Sequence, residues 1–311
     1  MNKTKPKNLK DQGAKLIFGN PEICAQFLND YIDIACLKGL KSEQIEDLSE
    51  RFVSMWDNER DSDVVKKIHL TEDTNLFVIA MIEHQSAVDY TTVMKILRYM
   101  VMIWTDYEKE MDAKYAGISK TKDFKYPPIL PIVYYEDNGT WTAVTQLSDR
   151  IALADYFREY VPDYRYEVVR LHDYTNEEIV SKKNELSLFM LINKLKNASE
   201  FKELKNISPE YLKDLQENAP QHLLELLAIA ISAFMHRLNI PKDEIADFTD
   251  FLVERRFSML FDSFNAYDVQ AVRREAREEG REEASCETKA ECLLLVLAKK
   301  GELSVNLKEL I

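Results

Sequence analysis

Positive charge is in short supply in this chain. Its 311 residues carry 41 Lys and Arg against 54 Asp and Glu, for a formal net charge of −13 and a pI near 5.0. Holding nucleic acid by bulk electrostatics requires clustered cations that displace counterions, so that class is excluded and any DNA contact must be local or bridged by metal. Cysteine is scarce as well. Cys24, Cys36, Cys286 and Cys292 form no CxxC pair and have no His at ligand spacing beside them, which argues against a zinc site or a redox motif. Buried thiols in a reducing cytoplasm are the default for such a set. The amino terminus, MNKTKPKNLKDQG, lacks the apolar segment of a secretory signal. The most apolar run, Leu223 to Leu238, is interrupted by Glu225, Ser232, His236 and Arg237, so it is too short and too polar to span a bilayer. With 46% hydrophobic and 31% charged residues, and only seven glycines and nine prolines, the chain reads as a packed cytoplasmic protein without membrane segments.

The most informative stretch is Leu76 to Ser86, LFVIAMIEHQS. Its seven apolar residues, followed at once by a carboxylate, an imidazole and an amide, read as a buried strand with a polar tip. The turn-like cluster Thr71 to Asn75 precedes it. Side chains alternate along a strand, so Glu83 and Gln85 share one face and His84 takes the other.

Around this stretch the chain falls into regions. Lys3, Lys5, Lys7 and Lys10 make a basic arm, and periodicity predicts helices over 8–18 and 21–37, with Asp11 on the first and Pro21 opening the second. Strands are predicted over Glu50–Trp56, from Asp63 through Leu70, and from Leu76 to Gln85. Asp89 to Met111 has a 3.6-residue period with Asp89 as its N-cap. A lysine-bearing loop leads to a fourth strand, Ile129 to Tyr135, and Tyr164 to Asp173 reads as one more. Beyond it, 176–196, 208–217, 220–239 and 242–264 read as helices. Asp268 to Glu291 interleaves opposite charges like a solvated helix or stalk. Three regions follow: 1–172 with the sheet, 173–265 all helical, and 266–311 a charged helical tail.

If the strands from Asp63 and Leu76 form a hairpin, Asp63 returns beside Glu83. Two carboxylates at the rim of a sheet suit a hard divalent cation such as Mg²⁺ or Mn²⁺. Such an ion polarises a phosphodiester and acidifies bound water. It also screens an acidic protein from the phosphate it must approach.

The order α-β-β-β-α-β, with Asp63 followed twenty positions later by Glu83-x-Gln85, resembles the PD-(D/E)XK nuclease superfamily. More narrowly, it is similar to the recombination-promoting nuclease and putative transposase family of bacteria. The stretches that carry the resemblance are DQGAKLIFGNP at 11–21, SDVVKKI at 62–68, IEHQS at 82–86, ILRYM at 96–100 and ILPIVYYED at 129–137. The resemblance implies a restriction-endonuclease-like core, a mixed sheet flanked by helices, followed by an all-helical region. It implies a Mg²⁺-dependent or Mn²⁺-dependent DNA endonuclease in which Asp63 and Glu83 hold the metal and Gln85 stands where lysine is usual.

A glutamine amide can orient a water by hydrogen bonds but supplies no positive charge. Glutamine also occurs there in the family pattern, and Lys67, Lys95 or Arg98 could supply the charge. Ala14 departs from the aromatic residue common ahead of Lys15, which bears on the part played by Asp11. Two other readings stay open: a catalytically inactive nuclease fold serving as a platform for protein partners, and a phage-defence or toxin-like nuclease. Cleaving both strands with one site per chain is simplest for a two-fold homodimer, for which the tail could supply the interface.

Lys114, Lys120, Lys122 and Lys125 cluster before the fourth strand. Replacing them with Gln should weaken DNA binding evenly across sequences and flatten its salt dependence, by about one unit of log–log slope for each phosphate no longer neutralised. A slope unchanged in anisotropy titrations would remove this loop from the DNA interface.

Overall fold

The computed structural model of the chain describes residues 9–53, 64–71, 74–83 and 88–261. Helix α1 (Leu9–Gly19) and helix α2 (Pro21–Tyr31) are separated by Asn20, whose Oδ1 accepts the amides of Glu22 at 2.8 Å and Ile23 at 3.1 Å. Pro21 at the first helical position costs no hydrogen bond. Helix α2 stops short of the predicted residue 37. Lys38 Nζ takes up the carbonyls of Asn29 at 2.9 Å and Ile32 at 3.0 Å, and only a 3-10 turn forms at Ala35–Leu37.

The predicted strand over Glu50–Trp56 is corrected over Glu50–Val53, which is helical, while 54–56 lie outside the described residues. A three-residue strand β1 (Ile45–Asp47) comes earlier, and Ser49–Val53 is helix α3. The Asp47 carboxylate accepts both the amide of Ser49, at 2.9 Å, and its hydroxyl, at 2.5 Å, turning the chain into a helical path. Phe52 meets its need for burial from that helix.

Strand β2 (Val64–His69) and strand β3 (Asn75–Glu83) form the expected antiparallel hairpin, in register from Val64↔Ala80 to His69↔Asn75. Helix α4 (Thr92–Lys114) follows, then strand β4 (Ile129–Tyr135). Because β4 lies parallel to β3, a crossover such as α4 is required between them. Helix α4 starts three residues later than its predicted cap. The Asp89 carboxylate instead accepts the Thr91 amide at 2.8 Å and hydroxyl at 2.7 Å, closing a turn just before the helix. A short helix α5 (Ala154–Phe157) precedes strand β5 (Glu167–Arg170), which pairs parallel to β4. The sheet order is β1-β2-β3-β4-β5, mixed and flanked by helices, so the expected α/β class stands at that level.

The predicted helix over 176–196 is two, α6 (Asn176–Val180) and α7 (Glu185–Asn193). Lys183 turns left-handed at φ 54, and the side chain of Asn184 caps α7 by accepting the Ser187 amide at 3.1 Å. Helices α8 (Pro209–Asn218), α9 (Gln221–Arg237) and α10 (Lys242–Val253) lie where the pattern placed them, though α10 ends well before residue 264. Among the described residues, no helix is long and apolar enough to cross a membrane.

One face of the sheet packs Val65, Phe77, Ile79 and Val133 against Val93, Ile96, Met100 and Ile103 of α4. The other face presents Tyr134, whose ring lies 4.9 Å from that of Phe18 on α1 and 5.9 Å from that of Phe27 on α2. Helix α9 in turn packs on α1, and α7 on both α2 and α9. The helices after Asp173 therefore share a compact unit with the sheet, which ends at Leu260; a second unit begins at Phe261. The charged tail at 266–311, and with it the expected dimer interface, lies outside the described residues.

Gly13 marks the closest approach of α1 to α9. A Cβ there would sit 3.2 Å from the carbonyl oxygen of Ala230. That oxygen belongs to a helix held by α1, α7 and α10, so the overlap should outweigh alanine's better helix propensity. Gly13→Ala is expected to destabilise the fold by about 1–3 kcal/mol in urea unfolding. A more stable variant would mean that α9 yields and propensity wins.

Candidate functional site

Alternation along β2 sends its side chains to opposite layers. Val65 joins the core beneath α4, and Lys67 reaches Glu110 of that helix, Nζ to Oε1 at 3.3 Å, with its ammonium 6.0 Å from the centre of the Phe77 ring. Lys66 points the other way and is buried. Its side chain is 1% exposed, and Nζ donates to the carbonyl of Gly19 at 2.5 Å and pairs with Asp47 Oδ2 at 3.1 Å. A buried ammonium is tolerable only with such partners. Ser49 extends the network, its Oγ accepting the amide of Val65 at 3.1 Å while donating to Asp47. Cys24 lies nearby, its thiol pushed up to about 12 by burial although Lys66 pulls the other way, so it stays protonated.

Strand β3, buried from Leu76 to Ile79, carries the chain to Glu83, whose backbone pairs with Tyr135 at the carboxyl end of β4. The hairpin's last described pair is Val64↔Ala80. Asp63, His84 and Gln85 lie outside the described residues, as do the side chains of Glu83 and of Asp11, whose backbone belongs to α1. Among the described residues no group of three His, Cys, Asp or Glu could hold a metal ion.

The supporting cations are placed. Lys67 is paired with Glu110, which also lies 3.8 Å from Arg51. Lys95 is bound to Asp89, six residues back in the turn that precedes α4. Burial alone would raise the Asp89 carboxyl, but Lys95 and Thr91 together hold it well below the carboxylate range. Arg98 is on the exposed side of α4.

Sequence reasoning missed a second group at the same edge of the sheet. Glu136 directly follows β4, is 7% exposed, and accepts a hydrogen bond from Asn193 Nδ2 at 2.6 Å. His172 follows β5, and Arg237 ends α9. The signal was present in VYYED, a carboxylate straight after an apolar run, the same pattern that singled out Glu83.

The model of the family described as putative transposase, YhgA-like, matches residues 8–223. The chain belongs to that family. The family match runs from the residue before α1 into the first turn of α9. It takes in the hairpin, α4, all five strands, and helices α6 to α8. No curated protein and no solved structure matches the chain.

The Lys66 network makes a pH-dependent contribution. Burial would raise the Asp47 carboxyl, but the hydroxyl and amide of Ser49, then Lys66, outweigh it and hold it below its ordinary 3.8. The folded state therefore takes up this proton less readily than the unfolded chain. The stabilisation is present above pH 3.8 and disappears as pH falls below that value through the folded pKa. Asp47→Asn is expected to cost about 1–2 kcal/mol at neutral pH, discounted because Asp47 is partly exposed. In urea unfolding the gap from wild type should close below pH 3.8. A gap of constant size would show that the carboxylate charge is not its source.

Proposed function

We propose that the chain is a metal-dependent DNA endonuclease of the PD-(D/E)XK type, hydrolysing phosphodiester bonds during recombination or mobile-element movement. The observation that supports it most directly is the β2–β3 hairpin. Strand β3, buried from Leu76 to Ile79, runs on to Glu83 at the carboxyl edge, where its backbone pairs with Tyr135, and β2 begins at Val64, the residue after Asp63. Membership of a transposase-like family agrees with DNA as the substrate.

Asp63 and Glu83 offer only carboxylate oxygens, a donor set that fits Mg²⁺ or Mn²⁺ rather than a softer ion. When bound, the ion would polarise the phosphodiester and make water a competent nucleophile at neutral pH. Gln85 would hold that water by hydrogen bonds through its amide. Lys67 and Lys95 are each held by a carboxylate, so in this reading Lys67 ties α4 to the sheet through Glu110, and Lys95 closes the turn that opens α4. Arg98, on the exposed side of α4, would follow the DNA backbone. A two-fold pair of chains joined through 266–311 would bring one such site to each strand.

The deciding experiment is cleavage of supercoiled plasmid with Mg²⁺, Mn²⁺, Ca²⁺ or EDTA, comparing wild type with folded Asp63→Ala and Glu83→Ala. Cleavage should require Mg²⁺ or Mn²⁺, and each variant should lose roughly two orders of magnitude or more in rate, as for loss of a group acting directly on the reaction. Gln85→Ala should lose less, since only orientation goes. Cleavage that persists in EDTA, or in both carboxylate variants, would end this assignment. Absence of cleavage together with absence of metal binding by calorimetry would favour the protein-platform alternative.

A further inference from the structure

Outside the carboxyl ends of β4 and β5 lies a half-open cavity of about 260 Å³, lined by Glu136, Asp137, His172, Lys194, Lys196 and Arg237. Open α/β sheets bind their ligands at this edge. The two carboxylates are already engaged. Glu136 accepts from Asn193 at 2.6 Å, and Asp137 Oδ1 accepts the amide of Gly139 at 2.8 Å. The cations are less committed. Lys194 Nζ spends two donors on the carbonyl of Tyr174, at 2.7 Å, and Oδ1 of Asn176, at 3.0 Å, leaving one. Arg237 has its guanidinium 3.9 Å from the centre of the Phe234 ring, a stacking that orients its fork. Burial holds the Arg237 guanidinium below its ordinary pKa, with Glu136 pulling the other way, and among the described residues no salt bridge within 4.0 Å joins either Arg237 or Lys196 to a carboxylate.

We propose that this cavity is a phosphate-binding site, in which Arg237 presents its guanidinium fork and Lys196 and the remaining donor of Lys194 supply charge. The fork matches two phosphate oxygens at once. A group already inside the cavity responds to this potential. His172 is held below its ordinary 6.5 first by burial and then by Lys194 and Lys196, against the opposing pull of Asp137 and a hydrogen bond to the backbone carbonyl of Glu136. Its ring therefore stays largely neutral at pH 7, with its one N–H given to the Glu136 carbonyl, so it shapes the cavity and leaves the phosphate to the cations.

Two sources could present this phosphate: the backbone of DNA, or a free phosphorylated small molecule. Because Glu136 comes one residue after Tyr135, the partner of Glu83, the cavity opens one strand away from the end of β3. A backbone phosphate next to the cleaved one is the source favoured, and that choice of source, though not the site, rests on the endonuclease reading.

The test uses the full chain in EDTA, so that metal binding plays no part. Calorimetry with pyrophosphate and anisotropy with a labelled duplex are run on wild type, Arg237→Gln and Lys196→Gln. Lys213→Gln, with a side chain 74% exposed on α8, is the control. Both site variants should weaken pyrophosphate binding, Arg237→Gln on the order of tenfold or more, with the control unchanged. A parallel loss of duplex affinity, with pyrophosphate competing against duplex, assigns the site to the DNA backbone. Loss of pyrophosphate binding with duplex affinity intact assigns it to a small phosphorylated ligand.

The proposal is overturned if wild type binds no pyrophosphate, or if Arg237→Gln and Lys196→Gln bind it as wild type does. A lower melting temperature with unaltered binding would make Arg237 only a cap for the carbonyl end of α9. Plasmid cleavage is scored separately, so a protein that never cuts DNA but loses pyrophosphate in Arg237→Gln retains this site and loses only the nuclease reading.

Discussion

The ammonium of Lys66 constrains much of the fold. Removing such an ion from water costs several kcal/mol even after the protein relaxes, and the chain recovers this only where the last carbonyl of α1 and the carboxylate of Asp47 both meet it. That requirement fixes the end of α1 against β2, and Asp47, at the end of β1, against both. Ser49 then ties α3 to the same point by bonding Asp47 on one side and the amide of Val65 on the other. With α1 fixed, the position of α9 follows, since Gly13 admits the backbone of Ala230 at a distance that a Cβ would crowd. A lysine within a strand thus sets the spacing of helices more than 150 residues away in sequence.

The sheet divides its labour between two kinds of pairing. Strands β1 to β3 are antiparallel and joined locally, whereas β3, β4 and β5 are parallel and need long crossovers. Parallel strands end together, and their carboxyl ends deliver Glu83, then Tyr135 and Glu136, then Arg170 to one edge. The carboxyl ends of α7 and α9 arrive there too, with Lys194 and Arg237. Polar groups accumulate at this edge because each buried element must stop somewhere, and its first polar residues fall where it stops.

Much of this was legible in the sequence, for reasons that differ by element. The apolar run from Leu76 and the 3.6-residue period from Val93 are long enough to favour one structure each, and both elements appear, the helix shifted three residues towards the carboxyl end and the strand described as far as Glu83. The hairpin followed from a turn of suitable length between two strands. Glu50–Trp56 failed because its alternation is equally served by one buried Phe52 on a short helix, and the choice was made by the Asp47 carboxylate, upstream of the pattern. Lys183 at positive φ broke a helix that the period ran straight through, since no glycine or proline announced it. In the candidate site, adjacent lysines in β2 looked alike in sequence, yet one is a buried structural ion and the other packs under α4. Which lysine does which depends on register, and register is a property of the sheet.

The same distinction resolves the charge problem of an acidic protein that meets phosphate. Net charge counts every cation equally, but a cation held by a carboxylate contributes little to the field a ligand feels, because the pair is seen as a dipole. Lys66, Lys67 and Lys95 are all spent in this way, on Asp47, Glu110 and Asp89. Around Glu136 and Asp137 the order reverses. There amide donors engage both carboxylates, and although Glu136 still attracts Arg237, the cations of Lys194, Lys196 and Arg237 outnumber the two carboxylates lining the cavity. An overall charge of −13 is therefore compatible with a locally positive cavity, because the partner chosen by each carboxylate, rather than the overall count of charges, sets the potential at the edge of the sheet.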